Sequence, residues 1–209
     1  MTYAVKEIFY SLQGEGRQTG RPAVFVRFSG CNLWSGREAD RAGARCAFCD
    51  TDFVGMDGTL GGRYDAADLA GAAASAWDGR GGTPLVICTG GEPALQLDTE
   101  LITALHTAGF EIAVETNGTL KLPGGLDWVC VSPKAGTTLV TTTGDELKVV
   151  LPQSGLDLDA LETLDFHHFS VQPLDDPAVD ENTRVCVDLV LERPHWTLSL
   201  QTHKLLGLR

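Results

Sequence analysis

Three of the six cysteines in this 209-residue chain fall within one short stretch, as Cys31-x14-Cys46-x2-Cys49. Cysteine thiolates are soft ligands, suited to zinc or to iron-sulfur clusters. A four-cysteine zinc site wants a second close pair, and Cys88, Cys130 and Cys186 are single and widely spaced. Three thiolates suit a cluster with one iron left open to an outside ligand, since four cysteines are needed to close one. Zinc completed by a histidine, or three buried cysteines with no ligand, are the other readings of the same spacing.

Further groups with chemical potential recur at intervals. Gln13-Gly14-Glu15-Gly16 places two glycines around an acid, a tight turn that admits close backbone approach. Arg27 interrupts the end of an apolar run, and Asp50-Thr51-Asp52 sets three oxygen-bearing side chains in a row. Thr89-Gly90-Gly91-Glu92-Pro93, Glu115-Thr116-Asn117-Gly118, Ser132-Pro133-Lys134 and Gln172-Pro173-Leu174-Asp175 follow later apolar runs.

The elements that must position these groups alternate. Strands are expected at Val5 to Leu12, Ala23 to Phe28, Leu85 to Cys88, Phe110 to Val114, Trp128 to Val131, Leu147 to Leu151, His168 to Val171 and Trp196 to Leu200. Asp65 caps a helix running to about Trp77, and Asp98 caps a second, with Gly109 at its C-terminal end. Leu158, Leu161 and Leu164 mark a short helix. The last helix runs from about Asp180 to Arg193, stopped by Pro194, with Val185, Cys186, Leu189 and Val190 toward the core.

Short, continuously apolar strands alternating with helices specify an α/β fold with a parallel sheet, either open and doubly wound or barrel-like. A complete eight-unit barrel takes about 250 residues, so this length favours a partial (β/α)6-type TIM barrel. Chemistry in such folds gathers at the C-terminal ends of the strands, where Cys31, Thr89 to Glu92, Glu115 to Asn117, Ser132 to Lys134 and Gln172 to Asp175 fall. The expectation is one domain over residues 1–209, with an insertion at about 35–45 and an extension from about 180. Glu38 to Ala44 should form a short helical turn over the cysteines.

Composition narrows the partners. A net charge of −12 disfavours a phosphate backbone, so nucleic acid is not expected as a partner. No run reaches the length of a membrane span, and no signal pattern opens the chain, which reads as cytoplasmic and acting on a small molecule. Unevenly spaced cysteines do not resemble a secreted disulfide framework.

Taken together, Glu7 to Gly16, Arg27 to Leu33, Cys49 to Asp52, Thr89 to Pro93, Glu115 to Gly118, Ser132 to Lys134, Gln172 to Asp175 and Gln201 to Lys204 resemble the 7-carboxy-7-deazaguanine synthase family of radical S-adenosylmethionine enzymes. The departure is the first cysteine gap, 14 residues here against three in the superfamily's usual Cys-x3-Cys-x2-Cys.

The resemblance implies a modified, shortened radical S-adenosylmethionine core. Cys31, Cys46 and Cys49 would hold a 4Fe-4S cluster whose open iron receives S-adenosylmethionine. Phe48, Cys49, Asp50, Gly91, Glu92, Ser132, Pro133, Lys134 and Gln172 to Asp175 (with Pro173 and Leu174) would bind that cofactor, Gly90, Gly91 and Glu92 meeting its ammonium. Leu12, Gln13, Gly14, Glu15, Arg27, Thr89, Gly90 and His203 would bind 6-carboxy-5,6,7,8-tetrahydropterin, with Arg27 on its carboxylate. Thr51 would ligate Mg2+.

The implied reaction is a carbon-nitrogen lyase step yielding 7-carboxy-7-deazaguanine, started by the cofactor's radical, with no protein group assigned as base. The resemblance further implies a low-potential electron donor such as flavodoxin or ferredoxin and a homodimer paired through the segment after Asp180. A glycyl-radical activase and a non-catalytic zinc-binding protein are the rival functions.

Overall fold

The computed structural model describes residues 2–209. One nine-stranded sheet runs through them, in the order β3-β1-β2-β4-β5-β6-β7-β8-β9. Its strands are β1 (Tyr3–Leu12), β2 (Pro22–Phe28), β3 (Gly62–Tyr64), β4 (Leu85–Gly90), β5 (Glu111–Thr116), β6 (Trp128–Val131), β7 (Thr143–Leu151), β8 (Asp165–Pro173) and β9 (Trp196–Leu198). From β2 through β9 every neighbouring pair is parallel, whereas β1 pairs antiparallel with both β2 and β3. The sheet is open rather than a closed barrel, consistent with the partial-barrel expectation. The short β9, expected as a strand from Trp196, joins the sheet as a seventh parallel strand beyond the (β/α)6 count.

Helices α1 (Ala66–Ala76), α2 (Thr99–Thr107), α3 (Leu158–Glu162), α4 (Val179–Glu192) and α5 (Thr202–Leu205) follow strands in the chain. Asp65 accepts from the Asp68 N–H and Asp98 from the Leu101 N–H, satisfying first-turn donors as expected of aspartate caps. Asp98 also receives the Tyr3 hydroxyl at 2.7 Å, which ties α2 to β1. Ala66, Leu69, Ala70 and Ala73 form the buried stripe of α1 at helical spacing, packed with Leu101, Ile102 and Leu105 of α2 over the outer face of β1, β2, β4 and β5. Truncating fully buried Leu105 to alanine would cost about 2–5 kcal/mol.

Strand alternation divides outside from inside. On β7, Leu147, Val149 and Leu151 join the core packed against α4, while Glu146 and Lys148, also buried, belong to the opposite face. That inner face carries the polar groups of the site.

Two expectations near the C-terminus are corrected. Val185 is 42 % exposed, because the inward stripe of α4 is Asn182, Cys186, Leu189 and Val190, and Val185 lies roughly a quarter turn away. Asn182 holds its stripe position by donating to the Leu174 carbonyl and to Asp176. The last strand ends at Leu198 and not Leu200, since Ser199 turns to accept from Gly16 and to donate to Gln172. The turn α5 then follows a helix that the sequence had made the last.

Candidate active site

The cysteine loop and the Gly-Gly-Glu motif are packed backbone to backbone. Cys31 follows β2, and the Gly30 carbonyl accepts from the Glu92 N–H at 2.9 Å. A Cβ on Gly91 would stand 2.0 Å from that carbonyl oxygen and 3.0 Å from Cys31 Cβ, so glycine is required by proximity. Glu92 itself departs from expectation. Its carboxylate is fully buried and accepts from Ala94 N–H at 3.0 Å, Thr116 Oγ1 at 2.7 Å and Asn117 N–H at 2.8 Å. It caps the 3-10 turn Pro93–Leu95 and braces the end of β5 from behind the cavity wall, instead of facing a ligand. Burial pushes its carboxyl pKa up against those hydrogen bonds.

The insertion contains the expected helical turn, a 3-10 segment at Glu38–Gly43. Cys31, Cys46 and Cys49 all line one cavity of about 200 Å3, joined by Phe48, Gly90, Gly91, Ser132, Lys134 and Gln172 to Asp175. As free thiols they differ. A hydrogen bond from Cys46 brings Cys49 down to about 6 and pushes Cys46 well up, while burial pushes Cys31 up. Among the described residues no three histidine, cysteine or acidic side chains converge on a single-ion site. Lys134, whose pKa burial lowers, donates to both Ser132 oxygens at 2.6 and 2.7 Å beside the cysteines.

A second cavity of about 360 Å3 adjoins the first. Leu12, Gln13, Gly14, Glu15, Arg27, Thr89 and His203 line it, whereas Gly90, which the sequence had grouped with them, lines only the first cavity beside Gly91; Glu15, Asp50, Thr51, Thr89, Glu115 and Gln201 belong to both cavities. Arg27 donates through Nε to Glu7 at 2.9 Å, and neither of its Nη atoms has a hydrogen-bond partner among the described residues. The guanidinium groups of Arg27 and Arg209 both lie over the Phe9 ring, at 5.9 and 4.8 Å from its centroid.

Between the cavities stands an ionic triad of buried Lys148 and two half-buried glutamates. Lys148 Nζ donates to Glu15 at 2.8 Å and to Glu115 at 3.1 Å, and Gln13 donates to the other Glu115 oxygen at 3.0 Å. Burial alone would raise the Glu15 carboxyl, but the charge and hydrogen bond of Lys148, with a hydrogen bond from Gln201, bring it down to about 2. Burial raises the Glu115 carboxyl, and the charge of Lys148 only partly offsets it. Burial would lower Lys148, yet its two carboxylate partners hold it well above its ordinary value.

The tail after β9 fastens onto this site residue by residue. Gln201 donates to Glu15 at 2.9 Å, Thr202 N–H to the Gly14 carbonyl at 2.9 Å, and Lys204 to Asp50 and Asp175 at 2.6 and 2.5 Å. The His203 ring occupies the space a side chain at Gly14 would need.

The structure thus brings every sequence-selected residue except Glu92 and Pro133 onto one of the two cavities; buried Pro133 lies between Ser132 and Lys134, which do line it. Lys148, Glu115, Gln201, Lys204 and Arg209 are additional members of the site. A lysine in the apolar run Leu147 to Leu151 was the available signal, because a buried cation requires partners.

No protein-family model matches the sequence. Over the full length of both chains, the sequence is 59% identical across 210 residues to the 7-carboxy-7-deazaguanine synthase of Bradyrhizobium diazoefficiens. This chain belongs to the 7-carboxy-7-deazaguanine synthase family. It is likewise 59% identical to the synthase of Caulobacter vibrioides over 209 residues, again covering all of both. The fold matches the crystal structure of QueE from Escherichia coli with a TM-score of 0.70 at 26% identity, over 96% of this chain and 94% of that one. Membership in the synthase family makes the chain a radical S-adenosylmethionine enzyme of the lyase class.

Proposed function

We propose that the chain converts 6-carboxy-5,6,7,8-tetrahydropterin to 7-carboxy-7-deazaguanine with loss of ammonia, in the 7-deazapurine pathway that supplies queuosine. The observation that carries this reading is the adjoining pair of cavities: one holds three cysteines from a single loop, and the other holds a cation with unpartnered donors above an amide and carboxylate floor. The donor set fits a 4Fe-4S cluster, because three thiols line one cavity, while Cys88 and Cys186 lie in the apolar cores and Cys130 is buried outside that lining, against Glu115. When bound, the cluster and S-adenosylmethionine would supply radical chemistry to the substrate cavity.

The chain's own residues position and enclose. Gly90 and Gly91 present a backbone edge beside Cys31, on which the cofactor's amino group would rest, and Phe48, Asp50, Ser132, Lys134 and Gln172 to Asp175 form the remaining wall. Pro133 and Glu92 support that wall from behind. In the second cavity Arg27 offers its free Nη donors to the substrate carboxylate. Gln13, Glu15, Thr89, His203 and the Leu12 to Gly14 backbone face the pterin edge. Thr51, which lines both cavities, would contribute a hard oxygen ligand to Mg2+.

A low-potential donor such as flavodoxin or ferredoxin would reduce the cluster. Exposed Val185 and Leu191 on α4, beside the free edge of β9, support a homodimer. No helix among the described residues is long and apolar enough to cross a membrane, and the six cysteines are unpaired, which supports a cytoplasmic setting.

Anaerobic reconstitution followed by iron and sulfide counting, then incubation with the carboxytetrahydropterin, S-adenosylmethionine and a reductant, tests the proposal. Cluster incorporation and a deazaguanine product by mass spectrometry are expected. Metal uptake without sulfide would replace it with the zinc reading, and a loaded cluster without product would overturn the substrate assignment.

A further inference from the structure

The insertion between Cys31 and Cys46 has a built interior. Trp34, where it leaves the cysteine loop, is buried edge-on against the fully buried Phe53, with ring centroids 5.7 Å apart. Its indole N–H donates to the Arg37 carbonyl at 3.2 Å, folding the start of the excursion back on itself. The Arg41 guanidinium lies over the Trp34 ring at 4.1 Å. Arg41 Nε is held by both carboxylate oxygens of Glu38, at 2.9 and 2.8 Å. That leaves Nη1 aimed at the cysteine turn, where it donates to the Ala47 carbonyl at 2.7 Å and to the Cys49 carbonyl at 3.0 Å.

A continuous line of contact therefore runs from the core through Phe53, Trp34 and Arg41 to the backbone that carries Cys46 and Cys49. A guanidinium is suited to this task because it is planar enough to stack, permanently charged, and able to serve three acceptors at fixed angles. The Cys46-x2-Cys49 turn has no regular secondary structure of its own to set its shape.

We propose that Arg41 is a positioning residue that clamps the Cys46–Cys49 turn through its two carbonyls, so that the 14-residue insertion serves to preorganise two of the three cluster thiols before any metal arrives. The proposal rests on the cluster reading of the three cysteines. Its primary test, made on the metal-free chain, does not depend on that reading. Holding the turn in its ligating shape lowers the ordering cost of cluster assembly and slows cluster loss. Glu38 acts one step removed, by orienting the guanidinium on the indole.

The test is hydrogen-deuterium exchange by mass spectrometry on the metal-free full chain and on Arg41→Met, with exchange elsewhere and the thermal transition as controls for folding. Amides in the segment 46–51 are expected to exchange about tenfold faster in the variant, as loss of two charge-assisted hydrogen bonds implies, with β4 and β5 unchanged. After reconstitution, a chelator should strip iron from the variant about tenfold faster. Arg41→Lys, which keeps charge and reach but not the fork, should restore part of both rates. Unchanged exchange in 46–51 would overturn the proposal whatever the metal content. Should Arg41→Met fail to fold, Glu38→Gln decides it: severalfold faster exchange confined to the same segment supports the clamp, and parent-like exchange refutes it. A chain that takes up no sulfide while still showing the exchange change would refute the cluster reading alone.

Discussion

The Leu33 carbonyl accepts a hydrogen bond from the backbone N–H of Arg45 at 3.0 Å, and this contact closes the neck of the cysteine-loop insertion. Outside the neck only Asn32, Leu33 and Arg45 separate Cys31 from Cys46, the three-residue separation usual in the superfamily. The long gap thus becomes a short one in space. Closure of a loop this size costs little, since the entropy grows only logarithmically with length.

Excising Trp34 to Ala44 and bridging Leu33 to Arg45 with one glycine is therefore expected to leave cluster assembly intact. Iron and sulfide per chain should match the parent after reconstitution. Because Arg41 leaves with the excised segment, chelator stripping should be about tenfold faster.

Gly91→Ala drives a methyl group into the Gly30 carbonyl, a backbone atom that cannot rotate aside. A destabilisation of about 3 kcal/mol, at the upper end for overpacking, is expected in urea denaturation. Cys31 would shift with Gly30, so iron uptake should fall more steeply than in a variant destabilised equally at Leu105.

Lys148→Met leaves Glu15 and Glu115, each partly exposed on the cavity wall, together without their shared cation, at an expected cost of about 3 kcal/mol, the lower end for a broken buried pair. The pH dependence should shift toward greater relative stability at low pH, because in the parent the raised Glu115 and the depressed Glu15 oppose each other and the variant removes only the depression. In the parent, Glu15 is depressed from 4.5 to about 2, so its contribution is complete above pH 4.5 and is lost as pH falls through about 2. Without Lys148 both carboxyls titrate above their ordinary value, and stability should rise as pH drops through that range. Denaturant midpoints from about pH 2 to 7, the span over which these carboxyls titrate, will show whether the variant loses less stability than the parent as pH falls.

Lys204→Met cuts the link that joins the cluster loop at Asp50 to the cavity rim at Asp175. Both pairs are partly exposed, so the cost is modest, near 1 kcal/mol, or about fivefold in S-adenosylmethionine affinity by equilibrium binding to the reconstituted protein. The parent's affinity should weaken with added salt, and the variant's should respond less.

Much of this protein was determined by local sequence. Asp65 and Asp98 cap their helices as their positions require, and the apolar runs from Leu85 to Val171 become adjacent parallel strands in chain order. The polar motifs that follow those strands share one end of the sheet because parallel strands place all their C-terminal ends together. Spacing could not reveal that Arg45 folds back to Leu33, since nothing local distinguishes a pinched excursion from an open one. Nor could it turn Glu92 inward: that orientation depends on Thr116 and Asn117, which only the pairing of β4 with β5 brings within reach. The same holds for Lys148, a lone charge in an apolar strand until the tertiary fold sets Glu15 and Glu115 on either side of it, because a buried ion's partners are chosen by distance in space and not by distance along the chain.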